Sequence, residues 1–132
     1  MSAVPQSTEI QLAVCRESQA DGNEWSIYAV NTATEPVLVI VLQSEWEWGD
    51  VGHTIKPGRE VTLLPGAVAQ ILRVSDDDAE VSMSLSLRVA STVGQHLVSY
   101  ELGKLYRYRE PNMVPTLRKL GWLRTSTTVT QL

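Results

Sequence analysis

The chain has no phenylalanine and only one cysteine, Cys15, in 132 residues. With no second cysteine there is no intrachain disulfide, and a lone thiol at the end of an apolar-periodic segment reads as a small buried hydrophobe. With no phenylalanine the core falls to valine, leucine and isoleucine, and the rings come from four tryptophans and four tyrosines. That mix suits strands with amphipathic margins. Long apolar runs are also missing. The longest, from Val37 to Leu42, is far short of the roughly 20 residues of a membrane-spanning helix. The opening MSAVPQSTEI has neither a basic lead nor an apolar stretch, so it does not read as a secretory signal. The expectation is a soluble, cytoplasmic protein with no membrane contact.

Motifs of catalysis are missing as well. There is no Gly-Xaa-Ser-Xaa-Gly elbow, no phosphate loop, no dinucleotide fingerprint and no zinc pair. The two histidines, His53 and His96, stand far from each other and from Cys15. No enzyme activity and no cofactor is expected on these grounds.

The most informative segment present is EVSMSLSLRV, Glu80 to Val89. Val81, Met83, Leu85, Leu87 and Val89 alternate with Ser82, Ser84, Ser86 and Arg88. A period of two places the apolar set on one sheet face and the polar set on the other, which no helix can do. Turn chemistry recurs along the chain: Asp21-Gly22-Asn23, Asn31 to Pro36, Lys56-Pro57-Gly58, Pro65-Gly66, Ser75 to Asp78, Ser91 to Gly94 and Glu110-Pro111-Asn112. Strands are expected near 8–15, 24–31, 36–43, 59–64, 67–74, 79–89, 95–108 and 126–131. The fold class is all-β: an antiparallel β-sandwich of about 7–9 strands in one domain spanning 1–132. Val37 to Leu42, apolar on both faces, is expected as a central, covered strand. Gly103 marks a candidate bulge that would turn Leu105 inward. One short helix is expected near 115–120, opened by Pro115 and stopped by Gly121, with Leu117 and Leu120 facing the sandwich.

Two surfaces stand out. The first is SEWEWGDVGH, residues 44–53, expected as a loop at a sheet end. In an extended backbone Trp46 and Trp48 share one face and Glu45 and Glu47 the other. The tryptophans suit a lid over the sandwich edge, and equally a sugar ring or a partner's apolar groove, and Glu45, Glu47, Asp50 and His53 form a weak oxygen-rich cation pattern that matches no calcium loop. Asp76-Asp77-Asp78 reads as a solvated turn. The second surface follows from charge. The chain carries a net −4, but residues 1–100 carry −8 and residues 101–132 carry +4. In that basic section Lys104, Arg107, Arg109, Arg118, Lys119 and Arg124 interleave with Tyr100, Tyr106, Tyr108 and Trp122. On a continuous strand, Arg107 and Arg109 would share one face and Tyr106 and Tyr108 the other. Basic residues with stackable rings are what single-stranded nucleic acid requires, although the acidic body argues against whole-domain nucleic-acid binding.

The layout from Asn31 to Leu87, with a Pro-led apolar strand, a Lys-Pro-Gly turn and a strand of alternating serine and leucine, resembles accessory β-sandwich modules of bacterial multi-domain proteins. The resemblance implies the fold and carries over no functional residue. The expected role is a non-catalytic interaction module or homo-oligomer subunit. It would bury Trp46 and Trp48, or the Tyr106–Tyr108 face, against a protein partner or a second copy. The alternatives are a carbohydrate or small-ligand domain using the Trp46/Trp48 loop, and nucleic-acid contact through the basic section.

Overall fold

The computed structural model describes residues 10–19, 22–48, 51–55, 60–75, 82–92 and 94–132, with the side chains of 18–19, 22–23, 42–48, 51–55 and 75 outside that description. Eleven strands form among them: β1 (Ile10–Gln19), β2 (Gly22–Asn31), β3 (Val37–Trp48), β4 (Val51–Ile55), β5 (Glu60–Leu63), β6 (Val68–Ser75), β7 (Ser82–Ser91), β8 (Gly94–Lys104), β9 (Asn112–Val114), β10 (Lys119–Arg124) and β11 (Thr128–Gln131). They make two antiparallel sheets, one in the order β6-β2-β1-β10-β9 and the other β11-β8-β7-β3-β4, with β5 also paired to β3. The sheets pack face to face as a β-sandwich. No helix among the described residues is long and apolar enough to cross a membrane.

The alternation in β7 behaves as its period requires. Met83, Leu85, Leu87 and Val89 are buried while Ser82, Ser84 and Ser86 are half-buried and Arg88 is exposed. They meet Ile10, Leu12, Val14, Trp25, Ile27 and Ala29 of the opposite sheet in one core. Tyr100, fully buried in β8, donates its hydroxyl to the Ile10 carbonyl at 2.7 Å and so ties the two sheets together. β3 is central as expected, paired with β7 on one side and with β5 and β4 on the other. Its two faces are not equally covered: Val37, Val39 and Val41 are buried, whereas Leu38 and Ile40 are half-buried.

Of the expected turns, Lys56-Pro57-Gly58 lies outside the described residues, Gly22 and Asn23 belong to β2, and Pro65-Gly66 forms as its chemistry demands. Pro65 and Gly66 close a turn in which the Ala67 amide donates to the Leu64 carbonyl, and Gly66 takes the positive φ of 76° that a side chain would resist. The fully buried Asn31 locks this corner. Its side-chain amide donates to the carbonyls of Glu35 and Leu63, both at 2.9 Å, and its carbonyl accepts from the Ala33 amide. The C-terminal strand finds its partner within the domain: β11 pairs with β8.

Three expectations are corrected. Residues 44–48 and 51–53 are not a loop, because β3 runs on to Trp48 and pairs antiparallel with β4, with Trp46 opposite His53 and Glu45 opposite Thr54. A register shift between Val41 and Gln43 lets β3 continue past its apolar core against β7, and the alternation of EWEW is itself a strand pattern. Residues 115–120 are not a helix. The amides of Leu117 and Arg118 donate to the Val114 carbonyl, as a first helical turn would begin. Arg118 then takes φ 54° and directs the chain into β10, where pairing with β1 continues the sheet. Leu117 packs on the outside of that sheet with Ala13, Val30 and Val114, and Leu120 is exposed. Finally, the strand expected over 95–108 ends at Lys104. The register shifts between Met83 and Ser84 opposite Gly103, which has φ 67°, and Leu105 turns fully inward, as the bulge predicts. Beyond it Leu105–Arg107 is a 3₁₀ turn closed by the Tyr108 amide on the Leu105 carbonyl, so Tyr106 to Arg109 share no strand face.

Candidate functional site

The 3₁₀ turn and the residues after it carry the chain from one sheet to the other across an end of the sandwich, and a concave site forms beneath that crossing. Its floor begins with a hairpin. β1 and β2 pair in a register that sets Arg16 opposite Trp25. On the other flank of β1, β10 sets Trp122 opposite Val14. The two indoles therefore stand on either side of β1, two residues apart in register. They close over it nearly parallel, with centroids 5.8 Å apart and 28° between planes. Tyr108 descends from the crossing and meets both edge-on, at 6.4 Å from Trp25 and 5.4 Å from Trp122. Each such ring pair contributes about 0.5–1.5 kcal/mol beyond its buried area.

Hydrogen bonds fix the crossing. The Tyr108 hydroxyl donates to the Leu102 carbonyl at 2.6 Å. The Trp122 indole N–H donates to the Arg109 carbonyl at 2.8 Å, and Arg109 Nη1 donates to the carbonyls of Tyr106 and Tyr108. Burial pushes the Tyr108 phenol above its ordinary value, with Arg124 acting in the opposite direction. Guanidinium groups lie over the rings: Arg16 over Trp25 at 5.5 Å, Arg124 over Tyr108 at 5.4 Å and Arg107 over Tyr106 at 5.8 Å. Contacts of this kind are worth about 0.5–1 kcal/mol at exposed sites.

The resulting cleft has a volume of about 570 Å³. Trp25, Tyr108 and Trp122 form its base, Tyr106, Pro111 and Leu120 its apolar walls, and Arg16, Arg109 and Glu110 its charged rim. Tyr106 and Leu120 present open surface, at 40% and 55% exposed. Rings and guanidinium groups converging on a concave surface can stack on a flat ligand face and pair with an anion.

The structure brings some of the sequence-derived candidates together and separates others. Tyr106, Tyr108 and Arg109 line the cleft, while Arg107 lies outside it, stacked on Tyr106. Glu45, Trp46, Glu47 and Trp48 belong to β3, paired in sequence order with Ser84, Met83 and Ser82 for the first three. Their side chains, with that of His53 and with residues Asp50 and 76–78, lie outside the described residues. Arg16 and Trp25 of the cleft carry no local motif, Glu110 and Pro111 belong to an expected turn, and Leu120 to the expected helix, none of them with a signal for binding. Trp122 did fall within the basic-aromatic interleaving of the C-terminal section.

A second surface lies on the outer face of the same sheet. Lys119 Nζ pairs with Glu17 at 2.8 Å, and the Tyr28 hydroxyl donates to the same carboxylate at 2.8 Å. The Lys119 hydrogen bond holds the Glu17 carboxyl below its ordinary value, and Glu17 in turn raises Lys119. Beside this pair Cys15 is buried, and desolvation pushes its thiol up.

No family model, curated protein or solved structure matches this chain.

Proposed function

We propose that the protein is a non-catalytic binding module whose ligand seats in the cleft at the end of the sandwich. The observation that supports this most is the convergence of Trp25, Tyr108 and Trp122 beneath Arg16 and Arg109. These five residues come from β1, β2, β10 and the crossing, so the tertiary fold gathers them. The backbone beneath is β1, hydrogen-bonded on both sides, and a site held in place before binding loses less ordering entropy. The test is a glycan and peptide array probed with wild type, Arg109→Met and Trp122→Ala. Signals present for wild type and lost in both variants support the proposal. Signals equal in all three, or chemical turnover of a bound molecule, overturn it.

Self-association is the second reading, and one observation favours it. Met113 and Leu120 are cross-strand partners on β9 and β10, both more than half exposed, and β9 is the sheet edge. Edge strands with apolar side chains invite pairing with a second copy. Light scattering of wild type against Met113→Lys separates an oligomer from a monomer. Nucleic-acid contact has less support, because the strand that would array Tyr106 to Arg109 ends at Lys104.

A further inference from the structure

Three features of the cleft bear on what it binds. The first is charge. Among the described residues its rim holds Arg16, Arg109 and one carboxylate, Glu110. Arg109 commits one terminal nitrogen to loop carbonyls and forms no ion pair among the described residues. A planar guanidinium with donors to spare fits a carboxylate or phosphate. Glu110 accepts hydrogen bonds only, so it favours a ligand rich in hydroxyl or N–H donors and repels a multiply charged phosphate chain. The second is shape. Rings and aliphatic surface line the base and walls, with Tyr106 and Leu120 open to solvent, so the ligand needs a flat apolar face. The third is the backbone. The floor strands β1, β2 and β10 are all interior to their sheet, each paired on two sides. The cleft therefore offers no open strand edge, which is what an extended peptide uses to add itself to a sheet.

We propose that the cleft binds an acidic sugar of the uronic-acid class, with its ring against Trp122 and Tyr106, its carboxylate on Arg109 and Arg16, and its hydroxyls donating to Glu110. This rests on the binding-module proposal above. One uronate unit supplies all three requirements: a C–H-rich ring face, a single negative charge and several hydroxyl donors. A volume of about 570 Å³ lies within the roughly 300–1,000 Å³ of small-molecule pockets.

The test is calorimetric titration of the intact protein with three probes: a galacturonic acid trisaccharide, its fully methyl-esterified form, and a glutamate-rich peptide of matched charge. The ester keeps the rings and removes the charge. Expected is binding of the acid trisaccharide, at least tenfold weaker binding of the ester, and weakening of the acid's binding by added salt. Arg109→Met and Arg16→Met, both on exposed side chains, are each expected to weaken the acid's binding about tenfold, with the folded circular-dichroism spectrum retained and the melting temperature lowered only slightly by the lost loop hydrogen bonds and ring contact. Equal binding of acid and ester would overturn the charge assignment and leave the binding module standing. Preference for the peptide, lost in Arg109→Met, would overturn the sugar class and likewise leave the module standing. No binding of any probe overturns the uronate proposal, and the array above then decides the module by itself.

Discussion

The indole of Trp122 lies 5.8 Å from that of Trp25, at 28° to it, across the strand that separates them. This contact joins the core to the cleft. Trp25 is 2% exposed and belongs to the main core, whereas Trp122 packs against that core from a half-buried position. Trp25→Ala is expected to cost about 3–5 kcal/mol, the range for a large ring removed from a core. Urea unfolding followed by circular dichroism measures it. A loss under 1 kcal/mol would show that the ring is not packed as described.

Gly121 is close-packed for a different reason than conformational freedom. A Cβ there would meet the Val14 carbonyl oxygen at 2.6 Å and Cys15 Sγ at 2.8 Å. The first of these is backbone, so β10 must move. Gly121→Ala is expected to destabilise by about 1–3 kcal/mol. Adding Cys15→Ala relieves only the sulfur contact, so the double variant should remain less stable than Cys15→Ala alone. Equal melting temperatures for those two would contradict the packing of β10 on β1.

Asn31 serves one buried corner through three hydrogen bonds. Asn31→Ala strands the Leu63 carbonyl in a buried position and is expected to cost about 2–4 kcal/mol. Hydrogen exchange should report the Ala33 amide as newly unprotected. Unchanged protection there would contradict its bond to Asn31.

The Glu17–Lys119 pair gives a pH dependence of definite sign. The folded carboxyl is lowered, chiefly by the Lys119 hydrogen bond, so its contribution is present above the unfolded value and lost as pH falls through the folded one. Lys119 is raised, chiefly by Glu17, so its contribution is lost only as pH rises through the lysine range. Both side chains are partly exposed, which holds the pair to less than about 1 kcal/mol. Glu17→Gln should therefore flatten the acid side of the stability–pH curve by a small amount and leave pH 7 folding intact. A steeper acid limb in the variant would contradict the sign.

Cys15 is 1% exposed, and burial raises its thiol. A thiolate-directed reagent at pH 7 should label it only at the rate of unfolding, with full labelling in denaturant. Fast labelling of the native protein would place the thiol at the surface instead.

The strands were legible where the residues alternate, as in β7, and where turn chemistry is strict, as at Pro65-Gly66. Gly103 disclosed the bulge, and with it the inward turn of Leu105. Two strong local signals misled. Pro115 and Gly121 resemble the start and stop of a helix, yet Gly121 is set by its contact with Val14 on another strand, which local spacing cannot express. Polar EWEW resembles a loop because it continues an apolar strand, yet its period of two is the strand's own. Of the cleft, only the basic-aromatic interleaving around Tyr106, Tyr108, Arg109 and Trp122 was visible. Trp25 and Arg16 come from a distant hairpin whose register depends on the turn. Centring that turn on Asp21-Gly22 would pair Trp25 with Ser18, but Gln19 pairs with Gly22 and Trp25 with Arg16.

The most direct test of the central claim is two-dimensional amide NMR of the labelled protein titrated with the galacturonic acid trisaccharide, its methyl ester and the acidic peptide. The cross-peaks expected to move with whichever probe binds are those of Arg16, Trp25, Tyr106, Tyr108 to Glu110 and Leu120 to Trp122. Shifts centred on the β3–β4 hairpin, with these residues unmoved, would contradict that claim.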